Sequence, residues 1–366
     1  MSNNSGTNIA QELKFYLFEL KQSERLWHIP VLASLCVGIP LFVGYYFGRL
    51  DYSILASTGG LVILYLPSTS LANRMLTLLV CSFGFVISFA VGISFSFNPI
   101  MSSVVLGLYT LFVHWVAKYF AMKPPGNFFF VMLACIASAS PFDLASIPTR
   151  IGLIAMGTIF SCVLAFFYSL LMIKKHRSGS ALLYIKKNAF TNLVESAVVG
   201  MFIGGSFLIG HLLELENPYW VPISCLAVMQ GVNTRHIWQR SLHRILGTFV
   251  GLGLTWLLIS QNLTALGICV SILVLQFIIE MLVVRHYGLA VVFITPMTIF
   301  LAEASSAMTA DPNALVYSRF QDILVGSLIG AVGGWVLYHQ KLRYNAVRQL
   351  RKTRVAILRR QPNRSV

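Results

Sequence analysis

Long apolar stretches interrupted by single polar residues run along this chain from Pro30 to Tyr338, near residues 30–48, 52–69, 75–97, 99–118, 127–140, 149–173, 191–213, 218–232, 241–260, 263–282, 286–303 and 318–338. A helix needs about 17 to 25 predominantly apolar residues to cross a bilayer, and most of these runs meet that length. The pattern predicts an all-α integral membrane protein with about twelve transmembrane helices. The runs at 127–140 and 218–232 are short, so tilted, broken or interfacial segments are expected there.

The pattern is also written twice. Thr149-Arg150 precedes Gly157 as Ser318-Arg319 precedes Gly326; Tyr52 opens its run as Tyr219 does, and Arg74 precedes its run as Arg240 does. Two parallel six-helix repeats, a pseudo-dimer, follow from an even number of spans in each half. The expected organisation is a cytoplasmic lead-in (1–29), a first membrane repeat (30–173), a cytoplasmic linker (174–190), a second repeat (191–338) and a basic cytoplasmic tail (339–366).

Composition supports a membrane as the main solvent: hydrophobic residues make up 57% of the chain and charged residues 11%, against about a quarter charged in a soluble domain. Lys and Arg gather on one side of the predicted spans, in the lead-in, the linker and the tail, with Arg74, Lys118, Arg235, Arg240, Arg244 and Arg285. That side is the cytoplasmic one by the positive-inside rule. It places both termini in the cytoplasm of a multi-pass inner-membrane protein. The net charge of +15 concentrates after the last apolar run, which fits anionic lipid headgroups and not nucleic acid. All six cysteines lie inside apolar runs without CxxC spacing, so they read as packing residues, and neither a cofactor nor a metal is expected.

An ionisable side chain inside a bilayer is costly and points to a path or a partner. Arg240, Arg244, Gly247 and Gly251 fall on one helical stripe with His243 beside it; Arg319, Asp322 and Gly326 fall on another, where Arg319 and Asp322 are spaced to pair. The first half keeps Arg150 and Gly157 but has Leu153 in place of Asp322. Arg240, His243, Arg244, Arg150, Arg319 and Asp322 are therefore the candidate lining of a substrate path between the repeats, and Gly247, Gly251, Gly157 and Gly326 are candidate packing or gating positions. Glu280 is a candidate proton-coupling carboxylate or a structural partner of Arg285 or Arg244. Tyr219 and Trp220 read as part of an aromatic belt. No HExxH, paired Asp or Ser/His set marks an enzyme.

The run Asn217-Pro218-Tyr219-Trp220-Val221-Pro222, then Arg240 through Gly251, Glu280, Arg285, His286-Tyr287, Thr295-Pro296, and Arg319 with Asp322 and Gly326, resembles the fusaric acid resistance (FUSC-like) family of aromatic acid exporters. The first half resembles it only as a diverged copy. The resemblance implies an inner-membrane transporter that moves organic, often aromatic, carboxylate anions outward, sometimes with a periplasmic membrane-fusion protein. It also brings in the malate-transporter type of anion channel, built from paired six-span units. The long exporters carry large cytosolic domains that this chain lacks. The expected partners are the lipid bilayer and a small organic anion; homo-oligomeric assembly and a non-transporting role in an envelope complex stay open.

Overall fold

The computed structural model describes residues 26–172, 189–261, 263–302 and 312–341, with 344, 345, 347–349 and 352 beyond them. Its order is α1 (His28–Tyr46), α2 (Leu50–Gly60, continued by a 3-10 segment Leu61–Tyr65), α3 (Leu71–Ser94), α4 (Pro99–Tyr119), α5 (Phe128–Ser138) and α6 (Ile147–Leu171). It continues with α7 (Ala189–Leu212), α8 (Trp220–Met229), α9 (Thr234–Ile259), α10 (Ala265–Leu282), α11 (Tyr287–Ala302) and α12 (Pro312–Tyr338). Most of the lead-in, the linker and the tail lie outside the described residues.

Among the described residues eight helices, and not twelve, are long and apolar enough to cross a membrane. The shorter apolar ones are α2, α5, α8 and α11, the second and fifth of each half. Hydropathy located these segments in the right order but blurred their ends, because it reports the surrounding solvent and not the helix. α9 begins at Thr234, ahead of its apolar run, where the Asn233 side chain accepts from the His236 amide at 2.8 Å. Such a cap satisfies one of the orphan donors of a helix start. Asn98 and Thr264 cap α4 and α10 in the same way.

Within each half the sixth helix packs on the second and third, and the third on the fifth: α6 on α2 and α3, α3 on α5, then α12 on α8 and α9, α9 on α11. The halves meet where α4 packs on α7 and α1 on α10. One hydrophobic core runs through both. The α4–α7 seam is backbone against backbone: a methyl added at Gly200 would lie 2.5 Å from the Gly107 carbonyl oxygen, and one at Gly204 2.6 Å from that of Ser103. Small residues allow such approach between helices in lipid. Lys118 and Glu195 pair across this seam at 3.2 Å. On the other seam Gly38 meets the Leu273 side chain, so the two contacts are not identical.

The contacts of the expected glycines fix how the halves correspond. Gly157 faces the backbone of Ala56 and Gly326 that of Val221; one turn on, the Ser161 hydroxyl donates to Gly60 at 3.2 Å while Gly330 faces the carbonyl of Cys225. Ala56 is thus level with Val221, which sets Leu55 opposite Trp220 and Tyr52 opposite Asn217, not Tyr219. On the third helices Gly92 faces Ala134 and Gly251 faces Val292. That register sets Arg240 level with Cys81 and Arg244 level with Phe85, so the pairing of Arg74 with Arg240 does not hold.

A side chain at Gly326 must displace backbone, and overpacking costs about 1–3 kcal/mol. Gly326→Val is expected to lower the thermal midpoint of the detergent-solubilised protein well below that of Gly152→Val, since Gly152 faces open space. Equal midpoints would contradict the close α8–α12 approach.

Candidate functional site

Helix α8 has 10 residues and so a length of about 15 Å, half of a hydrocarbon core of about 30 Å. Every one of its residues from Trp220 to Met229 is buried. Trp220, Ser224 and Ala227 fall on one stripe of it, at the i, i+4, i+7 spacing of a helical face. Each of them is met by an arginine from a neighbouring helix.

Arg319 of α12 is 1% exposed, and its guanidinium carbon lies 3.5 Å from the ring centroid of Trp220. Its Nη2 approaches the Thr298 hydroxyl at 3.5 Å. Arg244 of α9 is 5% exposed and donates from Nη2 to the Ser224 hydroxyl at 3.3 Å. Arg240, one turn earlier on α9, donates from Nε to the Ala227 carbonyl at 2.9 Å and lies 4.2 Å over the ring of Tyr287. Ala227 belongs to the last turn of α8, where carbonyls lack intrahelical partners, so Arg240 also closes that helix end.

Arg244 stands apart from the other two. Among the described residues its Nε has no hydrogen-bond partner and it forms no ion pair. A buried charge without a counter-ion costs several kcal/mol, and a single hydroxyl at 3.3 Å recovers little of that. The physical demand at this point is for an anion.

Residues 203–333 match the family model described as fusaric acid resistance protein-like. Over those residues, most of its second half, the chain is similar to that family. The membrane protein YvaC of Bacillus subtilis (strain 168), which carries the description "Uncharacterized membrane protein YvaC", is 21% identical, with 86% of this chain and 73% of that protein covered. No solved structure matches. Eight apolar helices and a membrane relative make the chain a multi-pass membrane protein.

The matched residues 203–333 contain α8 and all three arginines that meet it. These arginines do not stand on the two main seams between the halves, α4–α7 and α1–α10, although α8 also touches α5 of the first half. They converge inside the second half. Arg150, the first-half counterpart of Arg319, stays near the rim, half-buried, with Nη1 3.4 Å from the Pro141 carbonyl. The reason lies in what each arginine meets: Trp220 offers an aromatic face where Leu55 stands in the first half.

Asp322 is fully buried one turn beyond Arg319. His243 packs against His286, ring centroids 5.0 Å apart. Glu280 is 4% exposed and accepts from Gln276 Nε2 at 3.3 Å. Neither Arg244 nor Arg285 forms an ion pair with it among the described residues, and Arg285 is exposed. Gly247 and Gly251 hold α9 against α11, a methyl at each lying 2.8 Å from the Gly288 and 2.6 Å from the Val292 carbonyl oxygen. Among the described residues no group of three or more His, Cys, Asp or Glu is placed to hold a metal.

Trp220 is 3% exposed and belongs to the core, which corrects its assignment to the aromatic belt. Ser224, Tyr287 and Thr298 were not singled out from the sequence as contact residues, because neutral groups in an apolar run carry no signal of burial against a cation. Arg74, 8% exposed with Nη1 3.5 Å from the Ser169 hydroxyl, is a further buried cation outside the stripe.

The electrostatics of Arg244 give a prediction of opposite signs. Arg244→Met, which removes an uncompensated charge at similar volume, is expected to leave the thermal midpoint in detergent unchanged or to raise it. Ser224→Ala, which takes away the partner and leaves the charge, is expected to cost about 1.5 kcal/mol. A larger loss for Arg244→Met than for Ser224→Ala would show that the charge serves stability.

Proposed function

We propose that the chain transports organic, preferentially aromatic, carboxylate anions out of the cell, along the stripe of α8 that Arg240, Arg244 and Arg319 line. The single observation that carries this reading is the buried, incompletely satisfied guanidinium of Arg244. A carboxylate there regains part of the hydration it loses on leaving water, as anions do in cation-lined constrictions. Asp322 and His243 flank the path, and Gly247, Gly251 and Gly326 let the helices around it shift. The match to a family described by fusaric acid resistance supports transport of an organic acid.

In this reading all twelve helices form two parallel six-helix repeats, 30–173 and 191–338, in a bacterial inner membrane with both termini cytoplasmic. The basic side chains outside the apolar runs support that orientation. Arg240 then lies toward the cytoplasm and Arg319 toward the outside. Cys81 and Phe85 occupy the first-half levels of Arg240 and Arg244, so the first half serves as the apolar wall. A periplasmic membrane-fusion protein is a partner consistent with export.

Export of a monovalent anion needs no proton coupling. A membrane potential negative inside drives it outward by about 2.3 kcal/mol per 100 mV, roughly a fifty-fold gradient. Glu280, held by Gln276, is assigned no obligatory role in that flux.

The test is flux of benzoate from liposomes carrying the purified full chain, driven by an imposed potassium diffusion potential. The expected result is voltage-dependent benzoate flux that Arg244→Met lowers at least about tenfold, the scale of one lost charge-assisted contact. Flux unchanged by Arg244→Met overturns the path. Protein that moves no anion at all points to a scaffolding role in the envelope. Glu280→Gln is expected to retain the voltage-driven flux, and its loss would assign proton coupling to that carboxylate.

A further inference from the structure

The contact between Arg319 and Trp220 has a consequence beyond anion conduction. Trp220 is the one position of the α8 stripe that presents a π-face to a guanidinium, at 3.5 Å and almost fully buried. Arg244 and Arg240 meet a hydroxyl and a carbonyl there instead. A desolvated cation–π contact is worth about 2 kcal/mol or more, so an anion that draws Arg319 away forfeits that contact and leaves the indole face uncovered unless it replaces what is lost.

We propose that Trp220 is the selectivity element of the path, favouring aromatic over aliphatic carboxylates by exchange of stacking partners. An aromatic carboxylate carries the two halves of the contact it breaks: its carboxylate takes the guanidinium, and its ring takes the vacated indole face. An aliphatic carboxylate of equal size and charge supplies only the first. No bond is made or broken, and Arg319 returns to Trp220 when the anion leaves. Gly326 facing Val221 and Gly330 facing Cys225 close the seam between α12 and α8 backbone to backbone, so the two helices have to separate before a ring is admitted.

The first half provides the comparison. Leu55 stands at the level of Trp220, with no aromatic face for Arg150, and there the arginine lies against the Pro141 carbonyl near the rim. A leucine is thus compatible with the close second-to-sixth helix packing that the two halves share.

This inference rests on the proposed transport, and the test separates the two. Flux of benzoate and of cyclohexanecarboxylate, which match in size and charge but not in π-character, is measured in liposomes at the same potential, with protein-free liposomes subtracted. Trp220→Leu is expected to lower the benzoate-to-cyclohexanecarboxylate ratio about fivefold, the scale of one aromatic stacking contact, with cyclohexanecarboxylate flux within about twofold of the parent. Trp220→Phe keeps a ring and is expected to keep the ratio within about twofold. A ratio unchanged in Trp220→Leu overturns the selectivity role while the anion path stands. Equal loss of both fluxes in the Leu and Phe variants assigns Trp220 to structure alone and overturns it as well. Absence of both fluxes in the parent protein removes the path itself.

Discussion

The structure is organised by the cost of placing a guanidinium where water cannot follow. Coulombic and solvation terms grow steeply as the local dielectric falls, and α8 gathers two such groups, Arg244 and Arg319, with the half-buried Arg240 on the same face. Each is met differently: Arg319 by an indole face, Arg240 by an orphan carbonyl and a phenol ring, Arg244 by one hydroxyl. The first two have partners that a helix end or an aromatic ring supplies without cost to the fold. The third has not, and its incompleteness gives the site a direction, toward an anion.

The two halves show what the same framework looks like without that demand. At the level of Arg244 stands Phe85, which packs edge-on to Tyr65 and Phe130 at 5.8 and 5.2 Å between centroids. At the level of Arg240 stands the buried Cys81. The glycine contacts between second and sixth helices recur in both halves, so the packing does not depend on the arginines. The fusaric acid resistance protein-like match falls on the half that carries the buried charges of α8.

Much of this was readable in the sequence, and the remainder was not for definite reasons. Eight helices appeared in order because bilayer-length apolar runs are unambiguous, and the four shorter ones because apolar runs mark them too. Their ends did not, since α9 carries Arg235 and Arg240 on helical turns that hydropathy reads as loop. The site arginines were found because a charge in an apolar run stands out. Their meeting place was not, because the stripe Trp220, Ser224, Ala227 is apolar or neutral and looks like any buried helix face. Periodicity identified Gly157 and Gly326 but not the register between halves; that required knowing which backbone each glycine faces. Trp220 was read as an interfacial anchor because aromatic composition near a span end is common to anchors and to cation partners alike.

Passage along such a stripe requires that each cation bind an anion and also release it. Trp220, Ser224 and Ala227 are four and three residues apart, so with a rise of 1.5 Å per residue neighbouring cations sit at levels about 6 and 4.5 Å apart along α8. A carboxylate can then touch the next guanidinium before it leaves the last. On the proposed path, release would be assisted at both ends, because Arg319 and Arg240 have resting partners to resume, an indole face and a carbonyl. Arg244 has the weakest resting partner and so the deepest attraction. On the path proposed above, this order would place a tight site between two looser ones, and an imposed potential would act on an anion with a neighbouring cation at each level.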